Sequence, residues 1–411
     1  MTDLRYDAII LGGGFSGLTM AVALAGPAAR SPMRVALIDE RPTDVPLPAE
    51  GDGRAFAITS TSRQMLAALG VWNELAPHAQ AVNRIEVLDS PLDAHDRPVL
   101  LNFDREGVET SASIIESRFL LQAFHAAASA SPHITRLQGA RAIDIDGDGP
   151  SASILLEDGR ELHCSLAIAA DGRNSPTRDM VGIRTIGWSY RQYGMVTTVS
   201  HELPHNGVAV EHFLPAGPFA ILPLPGNQSS LVWTETEEEA QRMQALDDAD
   251  FTAELRRRFG DRLGEVTLAG PRRSYPLSLM LAQNYIAPRV ALVGDAAHVL
   301  HPIAGLGFNV GLRDIAALGE TMLDAARLGL DIGSPTVLER YQAWRRFDAL
   351  KVGLVTDALN RLFSNDNPLL RQLRDFGLTA VDRAGPLKSF FMSQAAGEDH
   401  GLPRLMTGSP L

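Results

Sequence analysis

The chain has 411 residues, 45% of them hydrophobic, and a net charge of −12. That length suits two structural regions sharing an interface, and the acidic balance argues against a nucleic-acid partner, because phosphate binding needs a concentrated positive field. One cysteine, Cys164, excludes internal disulfides and paired redox cysteines and predicts a reducing, cytoplasmic setting.

Residues 6–11 are a short apolar run rich in branched side chains, as a buried parallel strand requires, and 16–25 are good helix formers. Between them Gly12, Gly14 and Gly17 stand at the positions of the dinucleotide fingerprint, with Phe15 and Ser16 opening the helix. Gly12 permits the tight turn, Gly14 lets the backbone approach a pyrophosphate, and Gly17 lets helix and strand pack closely. The pyrophosphate then rests on the helix N-terminus. Residues 8–29 carry no charge and imitate a membrane span in length. Three successive glycines would break such a helix, and Asp3 and Asp7 stand where a signal peptide is basic. A second strand over 34–39 ends in Asp39, placed to accept both ribose hydroxyls; without it the glycines could be a mere turn.

A buried strand over 166–170 releases into Asp171-Gly172, putting Asp171 where open α/β sheets gather working residues. Alone, Asp-Gly is more often a turn than a site. Ser175 is placed to cap the next turn, and Arg178 adds positive charge. Residues 81–88 and 193–233 are β-like, with turn signals at Asn206-Gly207 and Gly226-Asn227. Thr236-Glu237-Glu238-Glu239 reads as a capping box that starts a solvated helix.

A strand over 290–293 delivers Gly294-Asp295, an aspartate able to hydrogen-bond a ribityl hydroxyl of a flavin. The small-residue loop 301–307 then opens a helix at about Phe308. Such a loop brings amides and a positive dipole to the pyrimidine edge of a flavin, where negative charge develops on reduction. His298 and His301 have no clustered carboxylates or cysteines beside them, so no metal is expected. Residues 338–363 are basic and amphipathic, fit either to pack on the preceding domain or to lie on an anionic membrane surface.

The order Gly-x-Gly-x-x-Gly, Asp-Gly, Gly-Asp resembles that of the group A flavoprotein monooxygenases, the para-hydroxybenzoate hydroxylase type. Within that group, residues 301–314 are similar to the signature of the ubiquinone-biosynthesis hydroxylases. So are Arg54-Ala55-Phe56-Ala57-Ile58, Leu69-Gly70-Val71-Trp72, Glu116-Ser117-Arg118 and the closing Gly401-Leu402-Pro403-Arg404-Leu405-Met406. The resemblance implies an α/β fold with a discontinuous Rossmann-like FAD-binding domain (1–75, 100–180 and 275–330). An interleaved substrate-binding β-sheet domain (76–99 and 181–274) would roof the flavin, and a C-terminal helical region (331–411) would follow.

It also implies bound FAD, NAD(P)H as a transient reductant, and a flavin C4a-hydroperoxide that oxygenates a polyprenylated phenol with O2 as the oxygen source. By resemblance Arg54 and Arg118 lie near the FAD phosphates and linking chain, and Asp171 serves both FAD and the nicotinamide encounter. Asp295 would hold the ribityl chain, while Pro302, Gly305, Leu306, Gly307, Phe308 and Asn309 shape the flavin edge. Tyr193, His212 and Phe219 are the substrate-side candidates, with packed sheet residues as the alternative. Leu306 departs from the family, which has glutamine there, and is expected to alter flavin reactivity or the pocket. A lipid substrate implies peripheral contact with the inner face of the membrane and association with other quinone-biosynthesis proteins. The competing functions are a hydroxylase of a soluble phenol, a flavin reductase of isoprenoid double bonds, and a non-catalytic FAD-binding scaffold.

Overall fold

The structure is a computed structural model describing residues 5–42, 51–90, 92, 97–104, 112–364 and 401–411. Strand Arg5–Leu11 pairs in parallel with Val35–Asp39 on one side and Glu161–Ala169 on the other. Ile134–Gln138 and Val290–Leu292 continue this cofactor sheet outward. Ile9, Ile10, Ala167 and Ile168 have no exposed surface, because a parallel sheet is covered on both faces and its strands must be apolar throughout. Cys164 is buried in the same sheet, and burial pushes its thiol up to about 12, which leaves it unreactive.

The turn after the first strand depends on glycine. Gly12 has φ +109°, and a Cβ there would meet the backbone of Ala170 and Asp171. A Cβ on Gly17 would strike the Gly12 carbonyl oxygen. The helix Phe15–Ala25 can therefore press onto the sheet only with these residues. The parallel strands end together at Leu11, Asp39, Ala169 and Leu292, and that edge is where ligands bind in open α/β sheets.

A second, mixed sheet forms the roof. Its order is His298–Val299, Arg273–Ala282, Thr185–His201, Gln228–Thr236, Gly217–Leu224, Val208–Leu214, Arg84–Asp89 and Val99–Asp104. One face, with Met195, Val210, Phe219 and Trp233, packs on Met243, Phe251 and Leu255 of the helices Glu237–Ala245 and Asp248–Phe259. The other face turns toward the cofactor domain: Ala209 clusters with Ala55 and Ala57, and Phe213 with Ile303. Thr236 caps the first of these helices, its hydroxyl accepting the Glu239 N–H at 3.3 Å.

Two boundaries differ from the sequence reading. Strands Val99–Asp104 and Arg273–Ala282 both hydrogen-bond into the roof, so the roof takes in residues assigned to the FAD domain at 100 and 275. The described C-terminal residues do not stand apart either. Tyr341, on the long helix Pro335–Phe363, donates its hydroxyl to the Leu292 carbonyl at 2.7 Å. Leu405 and Met406 are buried in the core that holds the first helix. Residues 365–400 of that predicted region lie outside the described residues.

Candidate active site

Two helix N-termini open onto the crevice at the strand ends. The helix Phe15–Ala25 begins at Gly14 and the helix Gly307–Arg327 at Leu306, neither with a side-chain cap nor an acidic residue in its first turn. A Cβ on Gly14 or on Gly307 would meet nothing within 4 Å. Their leading N–H groups lack intrahelical partners, so each is a built place for negative charge. The rings of Phe15 and Phe308, at the two helix starts, lie 5.8 Å apart centre to centre, and Phe56 packs on both at 5.1 and 4.8 Å.

Between the helices stands the turn Gly294-Asp295. Gly294 has φ +60°, and a Cβ there would strike the Ser16 hydroxyl. Asp295 is exposed to the crevice, and its carboxylate has no partner among the described residues. Surrounding protein raises its pKa by withholding water, while His298, Arg54 and Arg173 pull the other way. An accessible, unpartnered carboxylate walled by protein is suited to accept a ligand hydroxyl.

The turn is held from behind by Asp314, which has no exposed surface. Asp314 accepts the Gly294 N–H at 3.1 Å, His298 Nε2 at 2.6 Å and Arg345 Nε at 2.9 Å. Burial opposes its charge, but His298 and Arg345 outweigh that and hold its pKa below the usual carboxylate range. Arg178 is buried too and donates to the carbonyls of Arg173 and Ala296, tying the Asp-Gly segment to this turn. Sequence reasoning gave Asp314 no role, because its partners Gly294, His298 and Arg345 are distant in sequence.

Asp39 closes its strand beside Gly13, where a Cβ would strike its carboxylate. Arg41, also missed, donates to Asp39 Oδ2 at 3.1 Å and to the Gly13 carbonyl at 3.0 Å. Arg54 lies over the rings of Phe15 and Phe56 at 5.7 and 5.6 Å, paired with Asp52. Arg118 pairs with Glu116 at 2.8 Å and covers Phe119. Asp171 accepts the Ser175 hydroxyl and the Thr177 N–H at 2.9 Å, so both of its oxygens hold the following helix turn. Asn309 is likewise committed: it donates to the Ala57 carbonyl at 2.7 Å and accepts the Thr59 N–H at 3.2 Å, stapling the loop of Pro302 and Gly305 to the strand Ala55–Thr59.

Four expectations are corrected. The Leu306 side chain is buried in the core, so the exchange of glutamine for leucine bears first on packing. Phe219 is fully buried on the helix-covered face of the roof, Tyr193 packs on that face with its hydroxyl toward Glu237, and His212 bonds Ser90. Strand alternation puts these three on the side opposite the crevice.

The donors and clearances fit FAD: two bare helix N-termini suit pyrophosphate and flavin edge, and the carboxylates of Asp39 and Asp295 suit ribose and ribityl hydroxyls on either side of the pyrophosphate. Residues 5–352 match the family described as "FAD binding domain". Over its whole length the chain is 44% identical to the Rhodospirillum rubrum protein named ubiquinone hydroxylase UbiL, covering 94% of it. It is 33% identical to Escherichia coli 3-demethoxyubiquinol 3-hydroxylase, with 97% of this chain and all of that one covered. The chain belongs to the FAD-dependent ubiquinone-biosynthesis hydroxylases. The fold agrees with that of p-nitrophenol 4-monooxygenase PnpA from Pseudomonas putida, with TM-score 0.76, 18% identity, and 96% and 98% of the two chains covered. As a member of this family the chain is an FAD-dependent monooxygenase. Among its described residues no helix is long and apolar enough to cross a membrane, and no group of His, Cys, Asp and Glu could hold a metal ion.

Proposed function

We propose that this chain hydroxylates the ring of a polyprenylated phenol on the route to ubiquinone, with NAD(P)H as reductant and O2 as the oxygen source. The observation that carries this reading is the unpartnered Asp295 between two uncapped helix N-termini, beneath a roof face lined by Val196, Ala220 and Val232. FAD, when bound, supplies the activation of O2 and the transfer of one oxygen atom. The chain's own residues do the rest. The N–H groups after Gly14 hold the pyrophosphate, Asp39 and Asp295 orient ribose and ribityl hydroxyls, and the N-terminus at Gly307 favours negative charge on the pyrimidine edge. The apolar roof positions the phenol ring and excludes water.

A prenylated substrate resides in the membrane, and the long helix offers a contact. Phe347, Leu350, Leu354 and Leu362 are exposed along it, with Arg346 and Lys351 alongside. Phe347 is 73% exposed, an uneconomical position for phenylalanine in water but a suitable one at a lipid interface. This stripe would hold the enzyme at the cytoplasmic face of the membrane.

The deciding experiment is mass spectrometry of quinone lipids in a strain lacking the protein. A prenylated phenol short of one oxygen should accumulate as ubiquinone falls. Unchanged ubiquinone, with no paralogue present, would refute the reading.

A further inference from the structure

On the strand Val208–Leu214, His212 faces Ser90 on the helix-covered side, so its neighbour Glu211 faces the crevice. Glu211 stands opposite Val87 on one adjacent strand and Ala220 on the other, and Val232 and Val196 continue that row across the roof. Two residues earlier, Ala209 packs with Ala55 and Ala57; two residues later, Phe213 packs with Ile303, Leu359 and Phe363. Glu211 is therefore bracketed over the gap between the strand Ala55–Thr59 and the loop 302–307, where the flavin edge is to lie. Its small neighbours Ala209 and Ala220 leave room beside it.

The carboxylate is half-buried and has no hydrogen-bond or ion-pair partner among the described residues. Ser230 Oγ and Thr234 Oγ1, on the same face by alternation, are buried without partners as well. A charge set into an apolar sheet with nothing to pair it costs stability, and a ligand hydroxyl would relieve that cost.

We propose that Glu211 is a catalytic residue for this hydroxylation, accepting the hydrogen bond of the substrate's phenolic O–H and withdrawing that proton as the ring is oxygenated. The inference rests on the phenol reading above. The phenol O–H bond breaks and a carboxyl O–H bond forms, which leaves the electron pair on the phenol oxygen to drive the ring carbon onto the electrophilic oxygen. That oxygen derives from O2: its O–O bond breaks as the ring C–O bond forms, the second oxygen atom leaves as water, and NAD(P)H supplies the two electrons through FAD. When the ring regains aromaticity it releases its C–H proton to water, and the Glu211 proton returns to the ring oxygen, restoring the carboxylate.

Burial alone raises the Glu211 carboxyl to about 7. The charged and titratable groups on the surrounding elements are Asp89, Asp52, Arg54, Arg273, Tyr275, His301, Asp357 and Arg361, and none of them contributes to that shift. A base of that strength is better matched to a phenol, whose pKa is about 10, than an ordinary glutamate is.

The test uses the full FAD-loaded chain with ortho-farnesylphenol and its methyl ether as probes, binding being read from flavin absorbance. Wild type should bind the phenol about 10-fold or more tightly than the ether, the worth of a charged hydrogen bond, and Glu211→Leu should bind both alike. Glu211→Gln should slow formation of the dihydroxylated product about 100-fold. It should also abolish the rise of rate with pH through about 7 that the raised Glu211 carboxyl predicts for wild type, and Glu211→Asp should restore part of both. Wild-type flavin content certifies folding of each variant. A leucine variant that still discriminates, or a glutamine variant with wild-type rate and pH profile, overturns the proposal while leaving the phenol reading intact. Equal binding of phenol and ether by wild type overturns both.

Discussion

The Asp314 carboxylate accepts the backbone N–H of Gly294 at 3.1 Å, so a residue in the middle of the core fixes the turn that presents Asp295 to the cofactor crevice. The same carboxylate neutralises Arg345, which is buried on the long helix. Cofactor binding and the packing of the long helix against the helix Gly307–Arg327 thus depend on one side chain.

Asp314→Ala should cost about 3 kcal/mol, because it leaves the Gly294 N–H, His298 Nε2 and Arg345 Nε buried without their acceptor, while Asp348 still pairs the Arg345 guanidinium at 2.8 Å. Denaturant unfolding of the apoprotein measures it. The folded pKa of Asp314 is depressed, so its contribution is present above the unfolded value of about 4 and lost as pH falls through the folded value. The gap between wild type and variant should therefore be constant at neutral pH and narrow only in strong acid.

Asp295→Asn should behave in the opposite way. Its folded pKa is raised, so the stability linked to its protonated form is present below about pH 4 and lost as pH rises through the folded value. At neutral pH the unpartnered charge is a cost, and the apo variant should melt at the wild-type temperature or higher. FAD affinity should fall about 10- to 100-fold through the lost charged hydrogen bond. A variant with wild-type affinity, measured by flavin fluorescence, would remove Asp295 from the site.

The two fingerprint glycines predict different failures. A methyl group on Gly14 meets no protein atom, so Gly14→Ala should fold normally and lose FAD, because the methyl group occupies the pyrophosphate cradle. A methyl group on Gly17 strikes the Gly12 carbonyl, so Gly17→Ala should destabilise the apoprotein itself. Circular dichroism melts of both apoproteins separate the cases.

The cofactor half was legible because its geometry is written in contiguous residues: Gly12 to Gly17 need particular torsions and clearances whatever surrounds them. The roof was legible as strands but not as faces. Both of its faces are covered, one by helices and one by the crevice, so the apolar–polar alternation that usually marks the inner side is missing. Tyr193, His212 and Phe219 were chosen by residue type and fell on the helix-covered side. The informative residue was Glu211, a charge inside the run Val-Ala-Val-Glu-His-Phe-Leu. Asp314 acts through Gly294, His298 and Arg345, which are distant in sequence, and Arg41 reaches the Gly13 carbonyl as well as the nearby Asp39, so neither role follows from a local pattern.

The membrane contact proposed for the exposed stripe on the long helix is testable with vesicles. With a net charge of −12 the whole molecule is repelled by an anionic surface, so adsorption must come from a local patch. Phe347, Leu350 and Leu354 supply apolar area, and Arg346 and Lys351 supply short-range attraction. Co-sedimentation with vesicles containing phosphatidylglycerol should show binding that weakens at high salt, where screening removes the basic contribution. The pair Phe347→Glu and Leu354→Glu should reduce binding more than about 10-fold, since each forfeits the burial of a large side chain. Because both residues are exposed, folding and flavin content should be unchanged. Undiminished binding by the double variant would move the contact to another surface and leave the stripe without a role in lipid docking.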